Sequence, residues 1–345
     1  MNIAVVFGGI SPERNVSING GRAITEALRA AGHNVIPIDP AFGADAARSE
    51  ELLADASAFP TTEELAAFSP RNLINCVNSN LFDNIDIAFL VLHGKNGEDG
   101  LFQSLLELRG IPYTGSKVLA SALAMNKLAA KLVFSSVGVN TPPWSVIRKN
   151  DYNNLQLFKE IISEFTDGVV VKPVDQGSSI GVSVVLSADV AEVHRAVLEA
   201  AKFCETVIIE QFIEGRELHI GIIGDQVLPI VEVVTDSGFY DYSHKYTKGK
   251  TQYFCPADLT EDITEFAQNM AITAFNACGC TGFGRVDFRL DEDGVPYCLE
   301  VNTLPGFTTT SLVPMAASHA GFNFTELCEL IINNTLGIDA NESDE

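Results

Sequence analysis

The first third of the chain alternates short apolar runs with polar, helix-like segments. Strands are predicted at Ile3–Phe7, Asn34–Ile38 and Ile85–Leu92, with a helix near Asn19–Ala31 between the first two. Short strands that are apolar along their whole length and are joined through helices are typical of a parallel sheet. The pattern therefore predicts an N-terminal α/β domain.

Two segments border or interrupt this domain. Residues 41–84 are acidic and rich in alanine, with prolines at positions 60 and 70, which indicates helical insertions of no assignable role. The loop-like sequence GIPYTGS at residues 110–116 predicts the first domain boundary, because glycine and proline interrupt regular elements.

The rest of the chain mixes the two periodicities, which predicts an α+β arrangement in the C-terminal part. The predicted elements are a single helix at Val118–Ser136, a strand–loop–strand unit at Gly168–Val185, a helix near Ala188–Lys202, a strand at Thr206–Gln211, alternating strands to Val234, a polar loop at Thr235–Lys250, a helix at Thr260–Ala277, a hairpin, and a helix near Asn323–Asn334. The final residues, GIDANESDE, form a solvated acidic tail.

The predicted hairpin lies within FGRVDFRLDEDGVPYCLEVNTLPG, residues 283–306. Asp293-Gly294 is typical of a two-residue type I′ turn between two alternating runs. With that turn as the centre, one face carries two polar pairs, Asp287 opposite Glu300 and Arg285 opposite Asn302. The other face is apolar and pairs Val286 with Val301, Phe288 with Leu299 and Leu290 with Tyr297. A loop of different length, with an odd shift, would separate the carboxylates.

Directly opposed carboxylates repel each other, so Asp287 facing Glu300 needs a neutralising partner. Arg285 supplies part of the charge. Two carboxylates and the Asn302 amide also form an oxygen-rich face suited to Mg²⁺, which binds a few carboxylates together with substrate phosphates. The alternative is a solvated polar face or an Arg–Asp salt bridge.

The segment GVVVKPVDQGSSIGVSVV, residues 168–185, indicates a phosphate-binding loop between two strands. Lys172 lies on the first strand, and Gly177–Ser179 supplies N–H groups and hydroxyls that can wrap an anion. The Walker sequence GxxxxGK[ST] is absent, and an ordinary Gly-Ser hairpin is the alternative. Because Lys127 on the preceding helix adds a second cation beside the carboxylates, the set favours a metal–nucleotide site.

Three further carboxylates stand at strand ends or turns. Glu13, in GGISPERNVS, follows a strand of the predicted parallel sheet and is placed to hold a ligand cation, although the segment lacks the GxGxxG pattern of dinucleotide sites. Glu210 and Glu217, in VIIEQFIEGREL, can accept hydrogen bonds from a base and a ribose, or can be ordinary exposed carboxylates.

Composition narrows the classes of function. The chain has 345 residues, of which 46% are hydrophobic, so it can form two or three packed domains. Its net charge is 22 − 45 = −23, which argues against a broad nucleic-acid or anionic-membrane surface. No apolar run approaches the roughly 18 residues of a membrane span, and the N-terminus lacks a basic leader, so we expect a cytoplasmic protein.

The seven cysteines include no CxxC pair, and no second Cys/His pair lies at zinc spacing from Cys278 and Cys280. We therefore expect reduced thiols that are mostly buried.

Eight motifs follow one another along the chain: LHGKNGEDG, GIPYTGS, SALAMNK, VVVKPVDQGSSIGV, FYDYSHKY, TQYFCPA, GFGRVDF and LEVNTLPGFTTTSLVPMAA. In this order they resemble the D-alanine–D-alanine ligases of the ATP-grasp superfamily, over nearly the whole chain except residues 41–84 and the tail. The resemblance implies three domains, at residues 1–116, 117–205 and 206–336, followed by the acidic tail 337–345.

The activity implied by the resemblance has two steps and serves peptidoglycan synthesis. The carboxylate of one D-alanine attacks the γ-phosphate of ATP, which gives an acyl phosphate and ADP. The amine of a second D-alanine then attacks the acyl carbon, and phosphate leaves through a tetrahedral intermediate. The substrates are therefore ATP and D-alanine, two Mg²⁺ ions per site are implied, which Mn²⁺ can replace, and we expect a homodimer.

The resemblance also assigns residues to the nucleotide and the metal, with ATP between the central and C-terminal domains. Lys127, Lys172 and Ser179 with its Gly-Ser loop would contact the phosphates. Glu210 and Ile213 would contact the adenine, and Glu217 would contact the ribose. The metal ions would be bound by Asp287, Glu300 and Asn302.

The amino-acid substrates are assigned in the same way. Glu13 would bind the ammonium of the first D-alanine, with His93 near it, and Arg285 with the Gly306 N–H would stabilise the oxyanion. Ser311 and Leu312 would receive the carboxylate of the second D-alanine. Ser178 and Tyr246, with Lys245 beside it, would link to Glu13 and close the site against water.

Alternatives to this activity stay open. In related ligases that make D-alanyl-D-lactate the position of Tyr246 is not tyrosine, so Tyr246 favours an amine nucleophile over a hydroxyl. Asn15 and Gln211 stand where many relatives have an acidic residue and a lysine. A ligase that uses D-serine or D-lactate, a catalytically silent nucleotide-binding protein and a nicotinamide-dependent oxidoreductase are the other candidates.

Overall fold

The structure is a computed structural model that describes residues 1–54, 62–165, 167–187, 189–235 and 251–338. Its strands are β1 (Asn2–Val6), β2 (Asn34–Ile38), β3 (Ile87–Leu90), β4 (Trp144–Arg148), β5 (Val169–Pro173), β6 (Ser183–Val185), β7 (Thr206–Gln211), β8 (Arg216–Ile223), β9 (Gln226–Val227), β10 (Val231–Thr235), β11 (Thr251–Phe254), β12 (Phe283–Leu290) and β13 (Pro296–Asn302).

Its α-helices are α1 (Arg14–Ala30), α2 (Ala46–Ala54), α3 (Thr62–Ala67), α4 (Pro70–Val77), α5 (Leu101–Arg109), α6 (Val118–Met125), α7 (Lys127–Ser136), α8 (Leu155–Glu164), α9 (Val190–Ala200), α10 (Glu261–Ala277), α11 (Leu312–His319) and α12 (Phe324–Leu336). Short 3₁₀ helices lie at Pro40–Phe42, Asn80–Phe82 and Lys149–Asp151.

The N-terminal sheet has the order β2-β1-β3 and is parallel, which confirms the predicted α/β arrangement. Helix α1 begins at Arg14, five residues before the predicted start near Asn19. The apolar pattern does not indicate this first turn, because two of its buried residues, Arg14 and Ser17, are polar. The helical prediction for residues 41–84 is confirmed by α2, α3 and α4, and Leu52 and Leu73 from this region are buried in the same core.

A second, antiparallel sheet has the order β4-β7-β5-β6, and α8 and α9 share its hydrophobic core. A third sheet runs β11-β10-β8-β12-β13, with β9 paired to β8. Residues of α6, α7 and α10 pack in one core with this third sheet. These antiparallel sheets confirm the α+β character predicted for the C-terminal part.

The helix predicted at Val118–Ser136 is wrong as a single element, because the chain turns by 100° between α6 and α7. Asn126 ends α6 in an extended conformation, and its side chain accepts a hydrogen bond from the Ala129 N–H at 3.0 Å as the N-cap of α7. The Lys127 N–H, in the first turn of α7, donates to the Val174 carbonyl at 2.8 Å. The break therefore anchors the start of α7 to the chain just beyond β5.

In the parts of the chain that the structure describes, no single helix is both long and apolar enough to cross a membrane. Helices α6 and α7 reach that length and hydropathy only together, as a bent pair.

The turn between β12 and β13 differs from the two-residue type I′ turn that the sequence predicts. It has three residues between Asp291 and Val295, and the Gly294 N–H donates to the Asp291 carbonyl at 3.1 Å. A type I′ turn needs positive φ at both central residues, whereas only Gly294 adopts it here, at φ 79°. The Asp291 carboxylate also accepts a hydrogen bond from the Val295 N–H at 2.8 Å, which stabilises the wider turn.

This wider turn shifts the pairing next to it by one residue. Phe288 pairs with Cys298 and Leu290 with Pro296, so the predicted pairs Phe288–Leu299 and Leu290–Tyr297 are wrong. An irregularity after Asp287 takes up one extra residue on β13 and restores the register. The predicted pairs that lie beyond it are confirmed, namely Asp287 with Glu300, Arg285 with Asn302 and Val286 with Val301.

All seven cysteines are free thiols, and five of them are buried, as predicted. Burial raises the pKa of the Cys76 thiol to about 12 and that of the Cys280 thiol to about 11. These thiols are therefore protonated and unreactive packing groups.

Candidate active site

A cleft is lined by side chains from the second and third sheets and from α7. Its charged lining combines cations and carboxylates, namely Lys127, Lys172, Glu210, Glu217, Asp287, Arg289 and Glu300. Ser179 and Ile213 also line it. Most of the residues that the sequence predicts for nucleotide and metal binding are thus brought together in one place.

Glu210, at the end of β7, is held between two lysines. Its carboxylate lies 2.6 Å from the Lys172 ammonium and 3.2 Å from the Lys131 ammonium. Lys131 is fully buried, and it also donates to the Thr141 hydroxyl at 2.6 Å and to the Pro142 carbonyl at 3.0 Å. Burial alone would raise the pKa of Glu210, but the two ammonium groups outweigh it and lower the pKa. Glu210 is therefore a buried, ionised carboxylate that orients Lys172.

Lys127 connects the Gly-Ser loop to β13. Its ammonium lies 2.9 Å from the Glu300 carboxylate and donates to the Gln176 carbonyl at 2.8 Å. Burial would lower the pKa of Lys127, but the Glu300 carboxylate outweighs it and raises the pKa. A charged ammonium therefore stands between the loop and the carboxylate face.

Asp287, on β12, is surrounded by hydrogen-bond donors. Arg285 donates to it from Nε at 2.6 Å and from Nη2 at 2.8 Å, and the Asn302 amide donates at 2.9 Å. His219 on β8 lies 2.7 Å from the same carboxylate through Nδ1. Burial opposes ionisation of Asp287, yet Arg285 and His219 together hold its pKa well below the usual range. The bidentate contact also fixes the plane of the Arg285 guanidinium.

Asp287, Glu300 and Asn302 supply only part of the ligand set that a hard divalent cation needs. Asp287 and Glu300 pair directly across the hairpin, with Asn302 one pair further along the same face. In the regions that the structure describes, no three His, Cys, Asp or Glu side chains converge as a metal site. Two carboxylates and an amide match the partial ligand set with which Mg²⁺ is bound when phosphate oxygens complete its coordination. The donor set is therefore suited to a metal that arrives with a nucleotide.

The Gly-Ser loop reaches from the cleft to the N-terminal domain. The Ser178 hydroxyl donates a hydrogen bond to the Glu13 carboxylate, a contact that the family resemblance implies. Ser178 and Ser179 both adopt positive φ, at 49° and 59°, which is uncommon for residues other than glycine. Backbone strain of this kind concentrates at ligand-binding loops, where surrounding contacts hold it in place.

Glu13 lies in a narrow space beside two glycines. A Cβ on Gly94 would lie 2.6 Å from the Glu13 carboxylate, and one on Gly177 would lie 3.0 Å from it. His93, adjacent to Gly94, hydrogen-bonds the Leu304 carbonyl through Nδ1 at 3.0 Å, and burial lowers its pKa. An imidazole with a lowered pKa thus contacts the start of the loop that follows β13.

Glu98 is a second carboxyl group in this region that the sequence analysis does not assign. It accepts a hydrogen bond from the Gly94 N–H at 2.8 Å. Burial, reinforced by the nearby Glu13 charge, raises the pKa of Glu98 to about 8. Near neutral pH this carboxyl group is therefore protonated in the folded protein.

The Glu98→Gln variant should gain stability relative to the wild type as the pH rises from about 5 to about 8. In this window the unfolded chain has lost the Glu98 proton while the folded chain retains it. The unfolding free energy of the wild type therefore falls with pH, by at most about 1.4 kcal/mol per pH unit from this group. Thermal unfolding across this range measures the effect, with Glu26→Gln on the exposed side of α1 as the control. A difference that stays constant with pH would contradict the assignment.

The predicted adenine and ribose contacts, Ile213 and Glu217, are joined by Arg289. The Arg289 side chain donates to the Ile213 carbonyl at 3.2 Å and lies 3.4 Å from the Glu217 carboxylate. Glu217 also lies 3.5 Å from His219, which links this end of the cleft to Asp287. The Glu217 carboxylate is thus held between the Arg289 and His219 side chains.

The residues predicted to hold the second substrate lie in the segment that leads from β13 into α11. Ser311 accepts a hydrogen bond from the Thr308 N–H at 2.9 Å, and a Cβ on Gly306 would lie 3.5 Å from the Ser311 hydroxyl oxygen. Leu312 is the first residue of α11, where helix N–H groups are available to an anion. Gly306, Ser311 and Leu312 therefore cluster at one helix N-terminus.

Two predicted residues, Tyr246 and Lys245, lie outside the described residues. Four charged or titratable residues of the site are missed by sequence reasoning, namely Lys131, His219, Arg289 and Glu98. Only Lys131 carries a usable signal, since it lies one helical turn after Lys127. The other three are recognised only when β8, β12 and the segment after β3 are brought together.

Two family models match the chain, described as the D-ala D-ala ligase N-terminus at residues 2–116 and the D-ala D-ala ligase C-terminus at residues 133–333. A D-alanine–D-alanine ligase of Syntrophotalea carbinolica is 41% identical over 331 residues, which cover 96% of this chain and 94% of that protein.

Solved structures with similar folds include the D-alanine–D-alanine ligase from Bacillus anthracis complexed with ATP. It has a TM-score of 0.74 and 29% identity, and the match covers 98% of each chain. The VanG D-Ala:D-Ser ligase from Enterococcus faecalis has a TM-score of 0.76 and 29% identity, with 97% of this chain and 99% of that chain covered.

Proposed function

The chain belongs to the D-alanine–D-alanine ligase family, and from this premise we propose that it joins two D-alanines to D-alanyl-D-alanine with cleavage of ATP to ADP and phosphate. The product would serve peptidoglycan precursor synthesis. The observation that carries the proposal is the cleft in which Lys127 and Lys172 face Glu300 and Glu210. Such a lining binds a polyphosphate with its counter-cation.

The two lysines would act on the phosphates of ATP. An ammonium group has three N–H donors, and Lys127 uses two of them on Glu300 and the Gln176 carbonyl. The third can donate to a phosphate oxygen without loss of either contact. Lys172 is oriented by Glu210, and Ser179 in the Gly-Ser loop would close over the phosphates. Ile213 and Glu217 would contact the adenine and the ribose, and Glu210 would flank the base.

Asp287, Glu300 and Asn302 would hold two Mg²⁺ ions together with the phosphate oxygens, and Mn²⁺ could replace them. Bound there, the ions would neutralise charge that develops on the transferred phosphoryl group. Arg285, whose guanidinium is fixed on Asp287, would stabilise the oxyanion and the phosphate, aided by the Gly306 N–H.

The amino-acid substrates would bind beyond the phosphates. Glu13 would hold the ammonium of the first D-alanine, with His93 nearby, and the carboxylate of that substrate would attack the γ-phosphate to give an acyl phosphate. The second D-alanine would place its carboxylate at Ser311 and Leu312, and its amine would displace the phosphate. Ser178, Tyr246 and Lys245 would shield the acyl phosphate from water.

The organisation proposed for the whole chain is three domains, at residues 1–116, 117–205 and 206–336, in a cytoplasmic homodimer with the tail at 337–345. The core that the second sheet forms with α8 and α9 is separate from the rest, which supports a distinct central part. Residues of 206–336 contribute to both of the other cores, one shared with the N-terminal sheet and one with α6 and α7. Sedimentation equilibrium of the purified protein would measure the oligomeric state.

Phosphate release from MgATP distinguishes the candidate activities. With D-alanine as the sole amino acid we expect turnover and D-alanyl-D-alanine as the product. D-serine or D-lactate added to a limiting amount of D-alanine would reveal a mixed product, and D-alanyl-D-serine in particular would favour the activity in the name of the Enterococcus faecalis protein. Turnover with L-alanine alone, or with none of these acids, would overturn the proposal.

A further inference from the structure

Arg14 directly follows Glu13 but points away from the cleft into the N-terminal core. It is only 5% exposed and forms an ion pair with Asp39, which is fully buried. Its Nη1 also donates to the Gly9 carbonyl at 2.6 Å. The Arg14 charge is thus paired with Asp39 inside the N-terminal core.

Arg14 and Asp39 together hold the turn between β1 and α1, residues Gly8–Glu13. The Asp39 carboxylate accepts a hydrogen bond from the Gly9 N–H at 3.1 Å, while Arg14 binds the carbonyl of the same residue. Gly8 lies so close that a Cβ on it would be 2.4 Å from the Asp39 carboxylate. Both polar groups of the Gly9 backbone are therefore bound by one buried ion pair.

Two aromatic rings from the segment 41–84 enclose the guanidinium. Its carbon lies 5.3 Å from the centre of the Phe42 ring and 4.8 Å from that of Phe68. The two rings are 5.2 Å apart in an edge-to-face arrangement. Both distances fall within the range of cation–π attraction, which is stronger where water is excluded.

The Glu13 carboxylate itself has little freedom. Ser178 donates to it, and the positions of Gly94 and Gly177 leave no room for side chains beside it. A shift of the turn would therefore move the carboxylate out of the space in which it meets a ligand. Misplacement of a binding group by about 1 Å can cost about 100-fold in activity.

We infer that Arg14 is a positioning residue for Glu13, and that Phe42 and Phe68 give the segment 41–84 a part in substrate binding by clamping Arg14 against Asp39. This inference rests on the proposed function, in which Glu13 receives the ammonium of the first D-alanine. The ligand concerned is a small primary ammonium group.

Steady-state kinetics of two variants test the inference. Phe68→Leu keeps an apolar side chain but removes the ring face, and Arg14→Lys keeps the charge but loses the two-pronged contact with Asp39 and Gly9. Each should raise KM for the first D-alanine about 10-fold or more while KM for ATP stays within about twofold. Phe82→Leu is the matched control, because Phe82 is a buried ring that packs under Arg109.

The outcomes separate this inference from the proposed function. If Phe68→Leu loses thermal stability as Phe82→Leu does, yet keeps the wild-type KM for D-alanine, Arg14 has only a structural role and the inference is overturned. That result stands even if Arg14→Lys fails to fold. Lack of turnover by the wild type on D-alanine would instead overturn the proposed function, and the inference with it.

Discussion

Replacing Glu300 with glutamine is expected to lower kcat by about 100- to 1,000-fold while the protein still folds. Glutamine keeps the shape of the side chain and one carbonyl oxygen, but it removes the negative charge that faces Lys127 at 2.9 Å. In the proposed site that charge would also bind the metal. Lys127 retains its bond to the Gln176 carbonyl, so its position is largely preserved.

The same substitution on the hairpin turn provides the control. Glu292 is exposed, so Glu292→Gln changes the net charge equally without altering the cleft. Turnover is measured at saturating ATP and D-alanine over a titration with Mg²⁺, and far-UV circular dichroism checks the fold. We expect Glu300→Gln to need more Mg²⁺ for half-maximal rate. Wild-type kcat in that variant would refute the metal assignment.

The pairing of Asp287 with Glu300 is predicted correctly from the sequence, although the hairpin departs from the prediction in two places. Two departures from the predicted hairpin, the three-residue turn and the extra residue on β13, each shift the register by one, and they cancel beyond Asp287. The alternation of polar and apolar residues marks which face is buried, and it holds on both sides of the irregularity. The turn itself is mispredicted because Asp293-Gly294 suits more than one turn type.

The break between α6 and α7 and the missed site residues share another cause. Apolar periodicity runs through Asn126, so only its capping hydrogen bond in the folded chain reveals the end of α6. His219 meets Asp287 across 68 residues, and Arg289 meets Glu217 across 72. Local patterns predict strands but not which strands are neighbours, so such contacts are visible only in the folded protein.

Glu210→Gln is expected to reduce the free energy of unfolding by about 3–5 kcal/mol, since it removes one partner from a buried ion pair. Glu210 is 1% exposed and Lys131 is fully buried, so water cannot replace the lost charge. Lys131 would keep only neutral oxygens as hydrogen-bond partners, those of Thr141 and Pro142 and the amide oxygen of the substituted side chain. We also expect a higher KM for ATP, because Lys172 loses the carboxylate that orients it.

The pH dependence of this variant identifies the cause of the instability. Burial already lowers the pKa of Lys131, and loss of the Glu210 charge lowers it further. The unfolded chain then binds a proton that the folded chain releases, so the variant should recover stability as the pH rises towards the ordinary lysine pKa of about 10.4. Urea unfolding of Glu210→Gln and of Lys131→Met/Glu210→Gln measures this. The double variant should be the more stable of the two near neutral pH, because it buries no unpaired ammonium, and equal stabilities would show that Lys131 carries no such penalty.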